Sequence, residues 1–244
     1  MGSLVSELPH RRRIGILGGM GPEATVLLMQ RIIERTTVSD DQDHVPMIVD
    51  NNPQVPSRVK AIIEGTGEDP APVLAAMARG LEAAGADALA MPCNTAHHYA
   101  ATIAGAVRIP FLDMVELSAA RAEGLGARRA GILGSPALKI TGIFDRAFAA
   151  RGLGTVYPEN QDRLLDAIRR VKVSSRSREA RHALAQAAEE LGTRGADVLI
   201  VACSEFSIIA DAIPSGPPAI DTVDVLADAA IAFSCGEAVE AEPA

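Results

Sequence analysis

The chain has 244 residues, 48% of them hydrophobic, and a formal net charge of −8 with its Lys and Arg scattered. That balance argues against a nucleic-acid footprint, and five Phe, two Tyr and no Trp leave little for base stacking. Three Cys make an odd, sparse set that does not read as a secreted disulfide framework. No segment approaches the ~20 apolar residues needed to span a bilayer. The basic His10-Arg-Arg-Arg13 is followed by a glycine-interrupted apolar run too short for a signal peptide. A soluble cytoplasmic protein with no membrane or nucleic-acid partner is the expectation.

Short apolar runs alternate with longer helical stretches, the signature of βαβ units and a parallel sheet. Arg13–Leu17 reads as a strand, followed by a glycine turn and a helix from Pro22 to about Arg35. Pro22 suits the first helical position and Glu23 the positive end of the helix dipole. Val45–Asp50 is a second strand, running into Asn51-Asn-Pro-Gln-Val-Pro56, whose prolines forbid a central strand. Val73–Ala84 is a helix stopped by Gly85. Ala88–Met91 is a third strand, whose exit loop Pro92-Cys-Asn-Thr95 leads into a helix bearing His97 and His98. Ile109–Asp113 is a fourth strand. The scheme then repeats: strand Ala130–Leu133, helix Thr141–Ala150, short strand Gly154–Tyr157, helices Gln161–Val171 and Arg178–Leu191, strand Val198–Ala202, and Ala219–Asp221.

The two halves look like copies. Arg13-Ile-Gly-Ile-Leu-Gly-Gly19 parallels Arg129-Ala-Gly-Ile-Leu-Gly-Ser135, and Gly85, Asp87 and Cys93 each lie 110 positions before Gly195, Asp197 and Cys203. The repeat favours two cores over one. A lone Cys at a strand end is ordinarily packing. Two at equivalent points of a duplicated unit would face each other across a cleft under pseudo-twofold packing, poised to move a proton on and off opposite faces of one carbon. Both follow a strand and precede a helix start, where a thiolate is favoured. The glycine turn, Asn51–Arg58, Cys93–Thr95, Gly134–Ser135 and Cys203–Glu205 all fall past the carboxyl ends of strands, where open α/β sheets bind ligands. Cys235 has no counterpart and reads as structural.

With these residues laid out, the chain resembles the aspartate/glutamate racemase family, closest to its aspartate racemase branch. The matching segments are Gly18-Gly-Met-Gly-Pro-Glu-Ala-Thr25, Asn51-Asn-Pro-Gln-Val-Pro-Ser-Arg58, Met91-Pro-Cys-Asn-Thr-Ala-His97 and Ala202-Cys-Ser-Glu-Phe206. They run through nearly the whole chain in order, and the third is highly specific. The resemblance implies an α/β fold of two similar flavodoxin-like domains with parallel sheets related by pseudo-twofold symmetry, and an active site in the cleft between them. The expected domains are 1–115, completed by 222–244, and 116–221. It also implies an isomerase that racemises amino acids, aspartate foremost, without pyridoxal phosphate or any other cofactor, commonly as a homodimer. No Schiff-base lysine motif is evident among Lys60, Lys139 and Lys172, the three lysines of the chain.

The resemblance assigns Cys93 and Cys203 as the paired acid and base. Asn94 and Thr95, with Ser204 in the equivalent place, are hydrogen-bonding groups for the substrate's carboxylate or amino group, or else helix caps. Glu205 either tunes Cys203, binds the ammonium, or merely favours a helix dipole. Arg58 matches the family arginine that clamps the second carboxylate, bidentate geometry being natural to guanidinium, and Lys172 matches the assisting lysine. Met20, Asn51 and Ser135 complete the expected substrate-binding set. His97 is read as supporting the Cys93 loop, because no second Cys/His pair completes a metal site. The pattern departs at Leu138 and Phe144, where the family carries hydroxyls near the cleft. Losing them either shifts substrate preference or shows that those hydroxyls were structural.

Three rival readings exist. Gly19-Met-Gly-Pro-Glu-Ala24 fits a dinucleotide fingerprint, but Asp50 lies about 29 residues past Gly21 rather than about 20, and both Cys go unexplained. A cis–trans isomerase, decarboxylase or hydantoin racemase of the same superfamily would share one or both Cys but lacks the Asn-Asn-Pro…Arg segment. A non-catalytic amino-acid-binding protein would need neither thiol.

Overall fold

A computed structural model describes residues 11–174 and 176–239. The first half builds a four-stranded parallel sheet from β1 (Ile14–Gly18), β2 (Met47–Asn51), β3 (Ala88–Ala90) and β4 (Phe111–Leu112), in the order β2-β1-β3-β4. The second half repeats it with β5 (Arg129–Gly134), β6 (Gly154–Val156), β7 (Val198–Ala202) and β8 (Ala219–Asp221), in the order β6-β5-β7-β8. Both central strands are buried along nearly their whole length, which is why they read as continuous apolar runs.

The first half carries α1 (Pro22–Arg35), α2 (Ala71–Ala83), α3 (Ala100–Gly105) and α4 (Met114–Gly124). The second carries α5 (Pro136–Thr141), α6 (Ile143–Ala150), α7 (Gln161–Val173), α8 (Arg178–Thr193) and α9 (Ser204–Ile208), followed by α10 (Thr222–Cys235). The repeat extends to its punctuation. α2 and α8 both end in the same C-terminal motif, with Gly85 at φ +91° and Gly195 at φ +86°. Ala86 N–H returns to Leu81 O, and Ala196 N–H to Leu191 O. Asp87 and Asp197 then each accept the backbone N–H that opens the neighbouring central strand, from Arg13 at 2.7 Å and Arg129 at 2.9 Å.

Several elements differ from the sequence reading. The second strand starts at Met47 because Pro46 supplies only its carbonyl, to Ile14 N–H. The helix expected over Thr141–Ala150 forms as α6 from Ile143, and a further short helix, α5, precedes it across Gly142 at φ +62°. The helix bearing His97 is a tight 3₁₀ segment, Thr95–Tyr99, before α3. Val59–Glu64, left unassigned by periodicity, is a π-helical turn that carries the Arg58 loop back toward the sheet. The two expected cores are not separate: one apolar cluster runs from Ile14 and Ile16 through Phe144 and Phe148 to Ile132 and Ile200, with smaller clusters on the outer side of each sheet. α10 leaves the second sheet and packs on α1, through Arg31–Asp224 at 3.1 Å and Arg35–Asp228 at 2.7 Å.

The glycine turn after β1 is fixed sterically. Gly19 lies at φ +92°, and a Cβ there would stand 2.3 Å from the Asn52 backbone. Its N–H is held by the Thr25 hydroxyl of α1 at 2.9 Å. The close approach brings the start of α1 and the Asn-Asn-Pro loop to the same edge of the sheet. Gly19→Ala combines left-handed strain with a backbone clash, and is expected to lower stability by about 2 kcal/mol or more. Urea denaturation of the variant beside wild type measures it.

Candidate active site

The carboxyl ends of β1, β3, β5 and β7 open on one cavity of about 90 Å³. Its walls include Met20 from the glycine turn, Arg58 from the proline loop, Cys93, Asn94 and Thr95 beyond β3, and Ser135 beyond β5. Lys172 of α7 and Cys203, Ser204 and Glu205 beyond β7 complete them. Of the expected site residues Asn51 alone is elsewhere: it ends β2 opposite Gly18, is exposed, and does not line the cavity. Leu165 and Ile168 also line the cavity, and neither was singled out from the sequence. Their signal was the α-helical period, since Leu165, Ile168 and Lys172 recur at i, i+3 and i+7 on one face. A second cavity of about 330 Å³ adjoins, lined by Gly21–Ala24 and Ile208, and the two share Lys172 and Glu205.

Both thiols are buried, Cys93 at 7% and Cys203 at 8% exposure, whereas Cys235 is exposed beside Arg11. Cys203 donates to Glu205 Oε2 at 3.0 Å. Burial first, then the Glu205 charge and hydrogen bond, push the Cys203 thiol well above its ordinary pKa. The expectation that a helix start would favour its thiolate is therefore overturned. α9 has only five residues, and desolvation together with an adjacent carboxylate outweighs its dipole.

Glu205 Oε1 pairs with Lys172 Nζ at 3.0 Å, the lysine being half exposed (48%) and the glutamate nearly enclosed (11%). Burial works against the ammonium, but Glu205 and the nearby Cys203 and Cys93 outweigh it and hold the Lys172 pKa above its usual value. Glu205 thus bridges a cation and a thiol. Arg58 is oriented by the carbonyls of Val55, Pro56 and Met20, at 3.2, 2.9 and 3.5 Å. No carboxylate among the described residues forms an ion pair with it.

The capping alternative for Asn94 is not what forms. Its side chain makes no cap bond to the 3₁₀ segment; its Nδ2 donates to Thr222 Oγ1 at 2.9 Å, and its buried Oδ1 has no partner. Ser204 is not a cap either, its hydroxyl lying 3.5 Å from Glu205. Ser135 does cap α5, accepting from Ala137 N–H at 3.3 Å, while still lining the cavity. His97 Nε2 accepts from Met114 N–H at 3.2 Å, so Nδ1 carries the proton and donates to Cys93 O at 2.9 Å. Ser207 stands 110 positions later and does the equivalent work, bonding Cys203 O at 3.4 Å and the α10 cap Asp221 at 2.7 Å. Leu138 and Phe144 are fully buried in the shared core and do not line the cavity, so the hydroxyls missing there are a packing matter. No group of three or more His, Cys, Asp or Glu among the described residues is arranged to hold a metal ion, and no helix there is long and apolar enough to cross a membrane.

Comparison with known proteins identifies relatives of the chain. The family model described as Asp/Glu/Hydantoin racemase matches residues 17–230. The broad specificity amino-acid racemase RacX of Bacillus subtilis (strain 168) is 27% identical over 231 residues, covering 89% of this chain and 96% of RacX. The structure of Picrophilus torridus aspartate racemase superposes with a TM-score of 0.81 at 30% identity, covering 94% of this chain and 96% of that one. Glutamate racemase isoform RacE1 of Bacillus anthracis shares the fold, with a TM-score of 0.63 at 17% identity over 91% of this chain and 80% of its own. The chain belongs to the Asp/Glu/hydantoin racemase family.

Two expectations follow from the Cys203–Glu205 contact. Glu205→Gln removes the charge that keeps the proton on sulfur, so Cys203 ionises at lower pH, read from ultraviolet thiolate absorbance. Folded Cys203 also keeps its proton beyond the ~8.5 of an unfolded cysteine. The unfolded state releases that proton first, so stability falls as pH rises above ~8.5. Urea denaturation across the alkaline range should show this slope in wild type and a shallower one in Cys203→Ala.

Proposed function

We propose that this member of the Asp/Glu/hydantoin racemase family interconverts L- and D-aspartate by a two-thiol mechanism that needs no cofactor. The observation that carries the reading is that Cys93 and Cys203 line one small cavity together with Arg58, Lys172 and Glu205. Racemisation removes the Cα proton on one face and returns a proton on the other. A Cα–H beside a carboxylate is a very weak acid, so the barrier must be lowered by positioning and by preorganised hydrogen-bond donors at the carboxylate.

The two thiols divide the work. Cys203, buried against Glu205, holds its proton and is the acid, which leaves Cys93 the role of base. Cys93 Sγ takes the Cα proton as the electron pair moves onto the α-carboxylate, and the Cys203 S–H proton passes to the opposite face. The enzyme is left with Cys93 protonated and Cys203 ionised, ready for the reverse direction. Glu205 and Lys172 keep a proton acceptor and its counter-charge beside Cys203 in both forms. The unpartnered Asn94 Oδ1 suits the substrate ammonium, while the hydroxyls of Thr95 and Ser204 suit the α-carboxylate. Arg58 suits the second carboxylate. Similarity to Picrophilus torridus aspartate racemase over nearly the whole chain supports aspartate, and the likeness to RacX makes a broader range the second reading. A cytoplasmic location, and the homodimer that the family resemblance implies, are part of the same proposal.

The test follows Cα–H exchange in D₂O by NMR, with chiral analysis of product, for L-aspartate, L-glutamate and neutral amino acids. Wild type is expected to exchange and invert aspartate, and Cys93→Ala and Cys203→Ala to lose racemisation by ~10³-fold each. Faster inversion of neutral amino acids would move the substrate to the broader reading. Binding without exchange would make the chain an amino-acid receptor.

A further inference from the structure

One buried hydroxyl stands between the two cysteine segments and is used by neither thiol. Thr222 opens α10, is fully enclosed, and lies 128 residues from Asn94 and 21 from Val201 in sequence. Its Oγ1 donates to the carbonyl of Val201 at 3.0 Å, two residues before Cys203. The one hydroxyl proton is thereby committed, so toward Asn94 the oxygen can only accept, and it takes the Nδ2–H at 2.9 Å. That direction leaves Asn94 Oδ1, beside Cys93, as a buried acceptor with no partner in the protein. Reversing the amide would set Oδ1 against the Thr222 oxygen with no proton between them.

The internal repeat does not account for this hydroxyl. The α10 cap Asp221 corresponds to the α4 cap Asp113, each accepting the N–H two residues on, which sets Thr222 against Met114. An apolar residue serves the first half at the same point, so helix packing does not require an oxygen there. Asp221 is itself held by Ser207 at 2.7 Å and accepts Val223 N–H at 2.9 Å, which pins the start of α10. The hydroxyl is therefore delivered to the cleft from a fixed frame.

We propose that Thr222 is a positioning residue of the racemase site. By linking Asn94 to Val201 it sets the Asn94 amide with its oxygen toward the substrate ammonium, and it holds the Cys93 and Cys203 segments in register. The inference rests on the racemase reading above and adds a residue outside the cavity wall to it. Removing the hydroxyl frees the amide to rotate and strands the Val201 carbonyl and the Asn94 N–H, groups that are costly to leave unpaired.

The experiment compares Thr222→Val, Thr222→Ala and Thr222→Ser with wild type for aspartate racemisation, alone and combined with Asn94→Ala. Thermal melting of every variant separates folding from activity, and Ala keeps the series readable if Val does not fold. Val and Ala are expected to lower kcat/KM at least tenfold, mostly through a higher KM because the ammonium is bound before and during proton transfer. Ser should restore it to within threefold of wild type. In the Asn94→Ala background, losing the hydroxyl should add less than threefold. Unchanged kcat/KM in folded Val or Ala variants, failure of Ser to rescue, or losses that multiply with Asn94→Ala would overturn the role of Thr222 while leaving the racemase intact. Absence of amino-acid racemisation by wild type would overturn both.

Discussion

A thiol enclosed with a carboxylate 3.0 Å from its sulfur has little freedom to ionise, and the charges of the cleft are arranged around that fact. Were Glu205 alone beside Cys203, the carboxylate would itself be a partly buried, uncompensated charge, which is costly. Lys172 relieves it from the other side at 3.0 Å, and in turn keeps its own proton against burial because the carboxylate is there. The three groups form a short line from solvent inward: ammonium, carboxylate, thiol. Glu205 is thus neither a simple anion site nor a helix-dipole ornament; its two oxygens face different partners. The line also divides the cavity with the cysteines from the outer cleft at the start of α1. A substrate entering from that side meets the ion pair first.

The repeat supplies the frame and stops short of the chemistry. Paired helix stops at Gly85 and Gly195, paired strand clamps at Asp87 and Asp197, and paired supports at His97 and Ser207 deliver Cys93 and Cys203 to equivalent places. What surrounds the sulfurs is unequal. Cys203 has Glu205 two residues on, where Cys93 has Thr95, and Asn94 reaches Thr222 where Ser204 reaches Glu205. In the proposed two-thiol mechanism such inequality has a use, because one thiol must be protonated while the other is not when substrate arrives. Identical surroundings would leave the proton undecided between them.

Much of this was readable from residue order. The central strands, their parallel pairing and the two-sheet repeat show in the apolar runs and the 110-residue offset, because buried parallel strands leave a strong composition signal. The specific Met-Pro-Cys-Asn-Thr-Ala-His block pointed to the cysteines, to Asn94 and to Thr95. What escaped depends on orientation. Asn51 precedes the right loop but closes β2 and stays outside the cavity. Leu165 and Ile168 are chemically indistinct from core and matter only because α7 turns that face to the cavity. Thr222 carries no motif, and only the packing of α10 against the first half brings its hydroxyl to Asn94. The ionisation preference of Cys203 was misread for a related cause: a helix start is visible in sequence, whereas enclosure is not.

Charge bears on the proposed substrate through Arg58. With Lys172 and Glu205 neutralising each other and Cys203 protonated, Arg58 contributes a positive charge that no carboxylate of the described chain balances in an ion pair. Its guanidinium is already aimed by three backbone carbonyls, so a bound carboxylate meets a donor whose orientation is settled beforehand. A zwitterion with a neutral side chain brings nothing for that guanidinium to bind, whereas an acidic amino acid brings a second carboxylate. Leu165 and Ile168 close the wall beside Lys172, and an apolar wall strengthens the attraction between Arg58 and a carboxylate by lowering the local dielectric. The same wall penalises a substrate that leaves Arg58 unanswered. Under the proposed reading, an acidic side chain is favoured because the ion pair beside Cys203 engages Glu205 and Lys172 with each other and leaves the Arg58 guanidinium in the same cavity for the substrate.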